Sequence, residues 1–207
     1  MRLVAADRSE PVEGVAFDAH LFGSLEAGRG EEALHIWEAR SPAVVVGRFG
    51  NVEREVIEPA CRADGVPVVR RISGGGAVVV GPGCLNYSVV LSLDDRPDMR
   101  DVARSYDLIL GWVAEALGVP GLRRAGASDL ALRDRKIGGS AQRRGRRALL
   151  HHGTVLYAFD AAAMERYLKP PPRQPAYRAN RPHAAFVTNA PIQPYSVTDA
   201  LMRRLAA

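Results

Sequence analysis

The sequence predicts an α+β fold, with mostly antiparallel, mixed sheets flanked by helices. Three observations carry that prediction. Residues 99–118 form one strongly periodic helical stretch, with Val102, Tyr106, Ile109, Leu110, Val113 and Leu117 at helical spacing and Gly118 to end it. Residues 130–159 read as strand, turn and strand in a meander. Between residues 66 and 80, two short β-branched runs flank a loop containing Gly74, Gly75 and Gly76.

Taken in order, residues 13–28 predict a first helix, because Phe17, Leu21 and Leu25 recur at every fourth position with Phe22 on the same face. Leu34–Glu38 and Ala43–Gly47 read as strands around a Ser-Pro turn. Val52–Asp64 predicts a short helix broken near Pro59. Val66–Arg71 enters the glycine loop and Ala77–Val80 leaves it; Gly81-Pro82-Gly83 turns the chain into a strand at Leu85–Leu91. After the long helix come strands at Leu130–Leu132, Lys136–Gln142 and Ala148–Phe159, then a short helix at 161–168 that stops before Pro170-Pro171-Pro172. Residues 173–195, rich in Pro, Arg and Asn, predict a covering loop, and Ser196 is placed to cap a last helix.

At 207 residues with 47% hydrophobic composition, the chain fits a single domain, residues 1–207, with an ample core. No apolar run reaches the roughly 18 residues of a membrane span, and the charged N-terminus has no secretory signal pattern, so the expectation is a cytoplasmic protein. Cys61 and Cys84 do not make a disulfide framework and suit a reducing compartment. The net charge of +5 is compatible with nucleic acid, an acidic protein or phosphorylated small molecules, but no nucleic-acid-binding motif accompanies it. The cluster Arg143, Arg144, Arg146, Arg147 is either a solvated hairpin tip or a docking patch for an acidic carrier.

The chemistry concentrates in Arg70-Arg71-Ile72-Ser73-Gly74-Gly75-Gly76-Ala77. Glycines without Cβ let a ligand approach the backbone, and bare N–H groups beside two guanidiniums suit an anionic or carbonyl-bearing ligand. The spacing matches neither a P-loop nor a dinucleotide fingerprint. Read alone, the loop is equally a glycine-rich hairpin with no ligand. Two further segments add to it: Ser128-Asp129 followed by Lys136-Ile137-Gly138-Gly139-Ser140-Ala141, and His151-His152-Gly153-Thr154.

In this order these motifs resemble the catalytic domain of the lipoate-protein ligase family, which shares its fold with biotin-protein ligases and octanoyltransferases. The resemblance runs from about residue 16 to residue 190 and includes the early strand pair at residues 34–51. It implies activation of lipoate by ATP with Mg²⁺ to lipoyl-AMP, then transfer to a lysine of an acidic lipoyl-carrier domain. Lys136 becomes the catalytic residue, reaching the acyl carbonyl and the α-phosphate. Of the 28 lysine and arginine residues only Lys136 and Lys169 are lysines, which fits a role that a planar guanidinium could not fill.

The resemblance also places Arg71, Ser73, Gly74, Gly75, Gly76 and Ala77 around the acyl and phosphate groups, and Gly139, Ser140 and Ala141 on the adenosine side. Asp129 is the candidate magnesium ligand through the nucleotide. Asn86 is a candidate by its place on a neighbouring strand. His151 and His152 are adjacent in a strand and point to opposite faces, which argues against a shared metal. His152, with Gly153, is assigned to the site and His151 is expected to face outward.

The sequence departs from the family pattern at Val79-Val80, where many ligases have Tyr-His, and at Ser128, where they have Asn. Gly81-Pro82-Gly83 resembles the octanoyltransferase branch, which uses a cysteine acyl-enzyme; no cysteine stands between Arg123 and Lys136 or after the Lys-Ile turn. Cys84 is the remaining candidate thiol, with a buried packing role as the alternative. The expectation is a catalytic domain without a C-terminal accessory domain, with a separate accessory protein or a non-catalytic acyl-adenylate binding module as further readings.

Overall fold

The computed structural model describes residues 2–206, with side chains described for all of these but 5–8, 195, 196, 205 and 206. The elements run β1 (Arg2–Ser9), α1 (Pro11–Glu26), β2 (Ala33–Ala39), β3 (Ala43–Val46), α2 (Val52–Glu55), α3 (Glu58–Ala63), β4 (Val68–Arg70), β5 (Val78–Val80) and β6 (Cys84–Ser92). They continue with α4 (Val102–Leu117), β7 (Leu122–Ala125), β8 (Asp129–Leu132), β9 (Arg135–Arg144), β10 (Ala148–Leu156), α5 (Ala162–Tyr167), α6 (His183–Phe186) and α7 (Pro194–Ala206). Among the described residues a seven-stranded sheet has the order β1-β2-β6-β10-β9-β8-β7, and a three-stranded sheet the order β4-β3-β5. Only β1 with β2 and β3 with β4 pair in parallel, so the α+β expectation of mostly antiparallel, mixed sheets holds.

Strand alternation gives the large sheet two different faces. One carries Leu34 and Ile36 of β2, Leu85, Tyr87, Val89 and Leu91 of β6, and Leu149 and Val155 of β10; it packs on Ile109, Leu110, Val113 and Leu117 of α4 and Val197 and Leu201 of α7. Each fully buried Leu or Ile there contributes about 1.5–3 kcal/mol. Asp101 caps α4 by accepting from the Arg104 N–H at 2.7 Å, and Gly118 ends the helix in the left-handed region at φ 60°. The opposite face meets α1 and the small sheet, and its central residues are polar: His35, Asn86, Ser88 and His152, with Trp37 beside them.

Several expectations shift. In α1 the buried positions are Pro11, Gly14, Asp18, Phe22 and Leu25, so the inward stripe is rotated away from Phe17 and Leu21, and a carboxylate lies at its centre. Gly14 is required because a Cβ there would lie 2.6 Å from the Trp37 ring. The predicted helix over 52–64 splits into α2 and α3 just before Pro59. β1 and β7 carry no clear apolar alternation in sequence and were not expected. The 173–195 segment contains a 3₁₀ turn at Ala176–Arg178 and the short α6. Helix α7 begins at Pro194, so Ser196 falls in its first turn rather than at its cap, and the Ser196 side chain lies outside the described residues.

Candidate active site

The glycine loop, β6, β9, β10 and the 170–187 segment enclose a cavity of about 630 Å³. Gly75, Gly76 and Ala77 form one wall; Gly139, Ser140, Ala141 and Gly153 form the wall opposite; Asn86 lies on the floor. Lys136 and Asp129 project from β9 and β8, with Lys136 Nζ 2.8 Å from Asp129 Oδ1. A Cβ on Gly139 would lie 2.4 Å from Lys136 Nζ, so glycine at 139 makes the room the ammonium occupies. A Cβ on Gly153 would lie 2.6 Å from the Tyr87 hydroxyl, and one on Gly138 2.0 Å from the Thr154 carbonyl. The Lys-Ile-Gly-Gly and His-Gly-Thr motifs are therefore two faces of one close strand contact.

The two arginines do a different job from the one expected of them. Arg71 is buried, and burial pushes its pKa down to about 10, which leaves it charged at neutral pH. Its Nη1 donates to the Val45 carbonyl at 3.1 Å, its Nη2 to the Gly74 and Gly76 carbonyls at 2.6 and 2.9 Å, and its Nε to Ser73 Oγ at 3.0 Å. Arg70 Nη1 donates to the carbonyls of Gly47, Arg48 and Gly50. Most of Arg71's donors are thus spent on holding the loop, although its side chain still touches the cavity. Glu55 adds to the hold by accepting from the Ala77 N–H at 2.7 Å. Gly75 sits at φ 90°, and its carbonyl would meet a Cβ on Gly47 at 2.1 Å; both positions need glycine.

Ser73 and Gly74 do not line the cavity. Ser73 is 1% exposed and turned behind the loop, where its hydroxyl lies 2.5 Å from His152 Nε2. His152 faces the cavity as expected. His151 does not face outward: it is wholly buried on the α4 side between Tyr87 and Tyr106, and burial pushes its pKa down to about 3. The outward reading failed because both sheet faces are covered. The Cys84 thiol is also wholly buried, its pKa pushed up to about 12, and neither Cys84 nor Cys61 lines the cavity. Cys84 is a packing residue.

Sequence reasoning missed several lining residues. Asp18 reaches the site from α1, and Trp37 and Ser88 lie on the sheet floor. The Trp37 indole N–H and the Ser88 hydroxyl are buried with no hydrogen-bond partner among the described residues. The 173–195 segment does cover the site: Pro175, Arg178, His183, Phe186 and Val187 line the cavity, and the Thr188 N–H donates to the Lys136 carbonyl at 2.8 Å. Tyr177 donates to Asp129 Oδ2 at 2.8 Å, and burial together with the Asp129 charge raises its pKa. The pairing of Trp37 with Asn86 and of Ser88 with His152 across adjacent strands was the legible signal for the floor, once register was known.

Among the described residues no group of three or more His, Cys, Asp or Glu side chains could hold a metal ion. Mg²⁺ brought on a nucleotide needs only one or two carboxylates besides phosphate and water. Asp129 fits that demand, provided it releases Lys136 or Tyr177. The hairpin tip at 144–148 is anchored, with the Glu26 carboxylate accepting the N–H groups of Arg146, Arg147 and Ala148.

A sequence model of the lipoyl protein ligase A/B catalytic domain matches residues 10–198. The chain belongs to that family. A relative from Aeropyrum pernix, provisionally named lipoate-protein ligase A, is 35% identical over 147 residues, covering 70% of this chain and 53% of the relative. The octanoyltransferase LipM of an Exiguobacterium species is 30% identical over 183 residues, covering 76% of this chain and 66% of the relative. The chain thus spans about half to two thirds of the length of these relatives. A solved structure from Thermoplasma acidophilum, described as a bipartite lipoate protein ligase with its E2 lipoyl domain, superimposes with a TM-score of 0.81 at 24% identity, over 99% of this chain and 82% of that one. At that identity the likeness speaks for the fold. The family thus joins ligases and cysteine-dependent transferases on one scaffold, and no helix of this chain is long and apolar enough to cross a membrane.

Proposed function

We propose that this chain is an ATP-dependent lipoate–protein ligase, its described residues forming one catalytic unit. In the first step a lipoate carboxylate oxygen attacks the α-phosphorus of ATP; pyrophosphate leaves and lipoyl-AMP forms. In the second, the ε-amine of an acceptor lysine attacks the acyl carbon, loses a proton, and AMP departs with the bonding electron pair. Neither step needs an enzyme nucleophile. The demand on the protein is to hold the partners together and to offset negative charge on the phosphate and carbonyl oxygens.

The observation that carries this reading is a cavity that presents the Lys136 ammonium opposite the glycine loop and that no cysteine reaches. Lys136, released from Asp129, would neutralise the α-phosphate and the acyl oxygen. Gly139, Ser140 and Ala141 leave space for a flat base, and Gly75 and Gly76 bring backbone close to the acyl and phosphate groups. Asp129 would hold magnesium on the nucleotide, the ion supplying further neutralisation of the phosphates. The acceptor proposed is an acidic lipoyl domain, supported by the E2 lipoyl domain in the description of the Thermoplasma neighbour and by the net charge of +5 here.

The octanoyltransferase name of the Exiguobacterium relative sets the competing reading. The test is to incubate the purified chain with lipoate, Mg²⁺ and ATP and to look for lipoyl-AMP by mass spectrometry. Its formation, lost in Lys136→Ala, is the expected result. If none forms, synthetic lipoyl-AMP and a lipoyl domain are supplied. Transfer then points to a separate activating partner; a trapped acyl-cysteine from acyl carrier thioester would overturn the ligase.

A further inference from the structure

Asp18 is a carboxylate 4% exposed on an otherwise ordinary amphipathic helix. Its oxygens each meet one histidine: Oδ1 lies 2.8 Å from His35 Nδ1 and Oδ2 lies 3.1 Å from His152 Nδ1. Burial raises the pKa of such a group, but the hydrogen bonds from His152 and His35 outweigh it, and the Asp18 carboxyl stays below its ordinary range. An ionised carboxylate only accepts, so both Nδ1 atoms carry hydrogen. On a neutral His152 this leaves Nε2 bare, and the Ser73 hydroxyl 2.5 Å away donates to it. Ser73 Oγ in turn accepts from Arg71 Nε, and Arg71 grips the Gly74 and Gly76 carbonyls.

We propose that Asp18 is a positioning residue that fixes the His152 tautomer and, through Ser73 and Arg71, the pose of the glycine loop. Every hydrogen in the chain from α1 to the loop points one way, and Asp18 sets the direction. With the other tautomer, His152 would turn a bare Nδ1 toward the carboxylate. Ser73 Oγ would then face two donors, and its own hydrogen would have no acceptor. The set looks like a Ser-His-Asp triad, but Ser73 is sealed from the cavity, so its hydroxyl relays orientation rather than attacking substrate. The kinetic part of this inference rests on the proposed ligase activity; the spectroscopic part does not.

The decisive measurement is ¹⁵N NMR of the histidine rings together with the Gly74–Gly76 amides in the full chain at neutral pH. The wild type should show His152 as the Nδ1–H tautomer. Asp18→Asn offers one acceptor and one donor where two acceptors stood, so one histidine should switch tautomer. The Gly74–Gly76 amides should then shift, and in the same way in Ser73→Ala. A wild-type His152 in the Nε2–H form, or loop amides unmoved in both variants, would overturn the proposal whatever reaction the protein performs. If lipoyl-AMP forms, kcat/KM should fall at least tenfold in each variant and no further in the double variant. Losses that multiply would mean that the two residues act independently. Should Asp18→Asn fail to fold, the wild-type spectrum and the Ser73→Ala loop shifts decide alone.

Discussion

The two faces of the seven-stranded sheet are built from the same strands but obey different rules. On the α4 side, Leu34, Ile36, Val89, Leu91 and Leu149 interlock with α4 and α7, and nearly every group is apolar. On the α1 side, one residue along each strand, stand His35, Trp37, Asn86, Ser88 and His152. These are buried too, but they pair with Asp18 and Ser73, or in Trp37 and Ser88 have no partner at all. An unpaired buried donor is costly, and proteins tolerate it where a ligand can supply the partner. The α4 face stabilises the fold, and the α1 face holds polar groups at some expense to it.

The sharpest way to break this contrast is Lys136→Ala, at the rim of the polar face. It should lower lipoyl-AMP formation by roughly 10³-fold while leaving the thermal midpoint within a few degrees of wild type. Turnover near normal would remove Lys136 from the site. On the opposite face Leu149→Ala should do the reverse. It should cost about 2–5 kcal/mol in a urea titration, with unchanged kcat per folded molecule.

His151 extends the contrast to pH. In the unfolded chain it titrates at its ordinary 6.5, and in the fold near 3. Between those values the unfolded chain binds the proton and the folded chain does not. Stability is therefore full above pH 6.5 and falls as pH drops, by about 1.4 kcal/mol per unit from this group. Urea midpoints taken against pH should be less acid-sensitive in His151→Phe; an identical slope would mean that the imidazole is not held neutral. The smallest effect is expected from Ser88→Ala. Removing an unpartnered hydroxyl should leave stability unchanged or raise it by about 1 kcal/mol. A loss of more than that would show that the hydroxyl has a partner in the ligand-free protein.

Much of this molecule was legible before its structure. The spacing of Val102 through Leu117 located α4, and Pro59 split the helices before the glycine loop, because these are local rules of period and ring geometry. Lys136, Asp129, Gly139 and His152 were named from motif order and do meet in one cavity. Asp18 was not legible. Phe17 and Leu21 suggested a stripe of plausible apolar spacing, and only the packing of Gly14 on Trp37 rotates α1 so that Asp18 turns inward. The role of Arg71 was misread for the same reason: in sequence a guanidinium beside glycines looks free to bind phosphate, but in the fold the loop carbonyls occupy it first.

The sequence by itself determined the fold class, the order of the elements and the chemical types gathered at the site, since hydrophobic period and glycine placement are written locally. Tertiary structure alone decided which polar groups find each other. Asp18, His152 and Ser73 lie 134 and 79 positions apart in pairs, and which atom donates to which depends on strand register and helix rotation. Those follow from how the whole core packs.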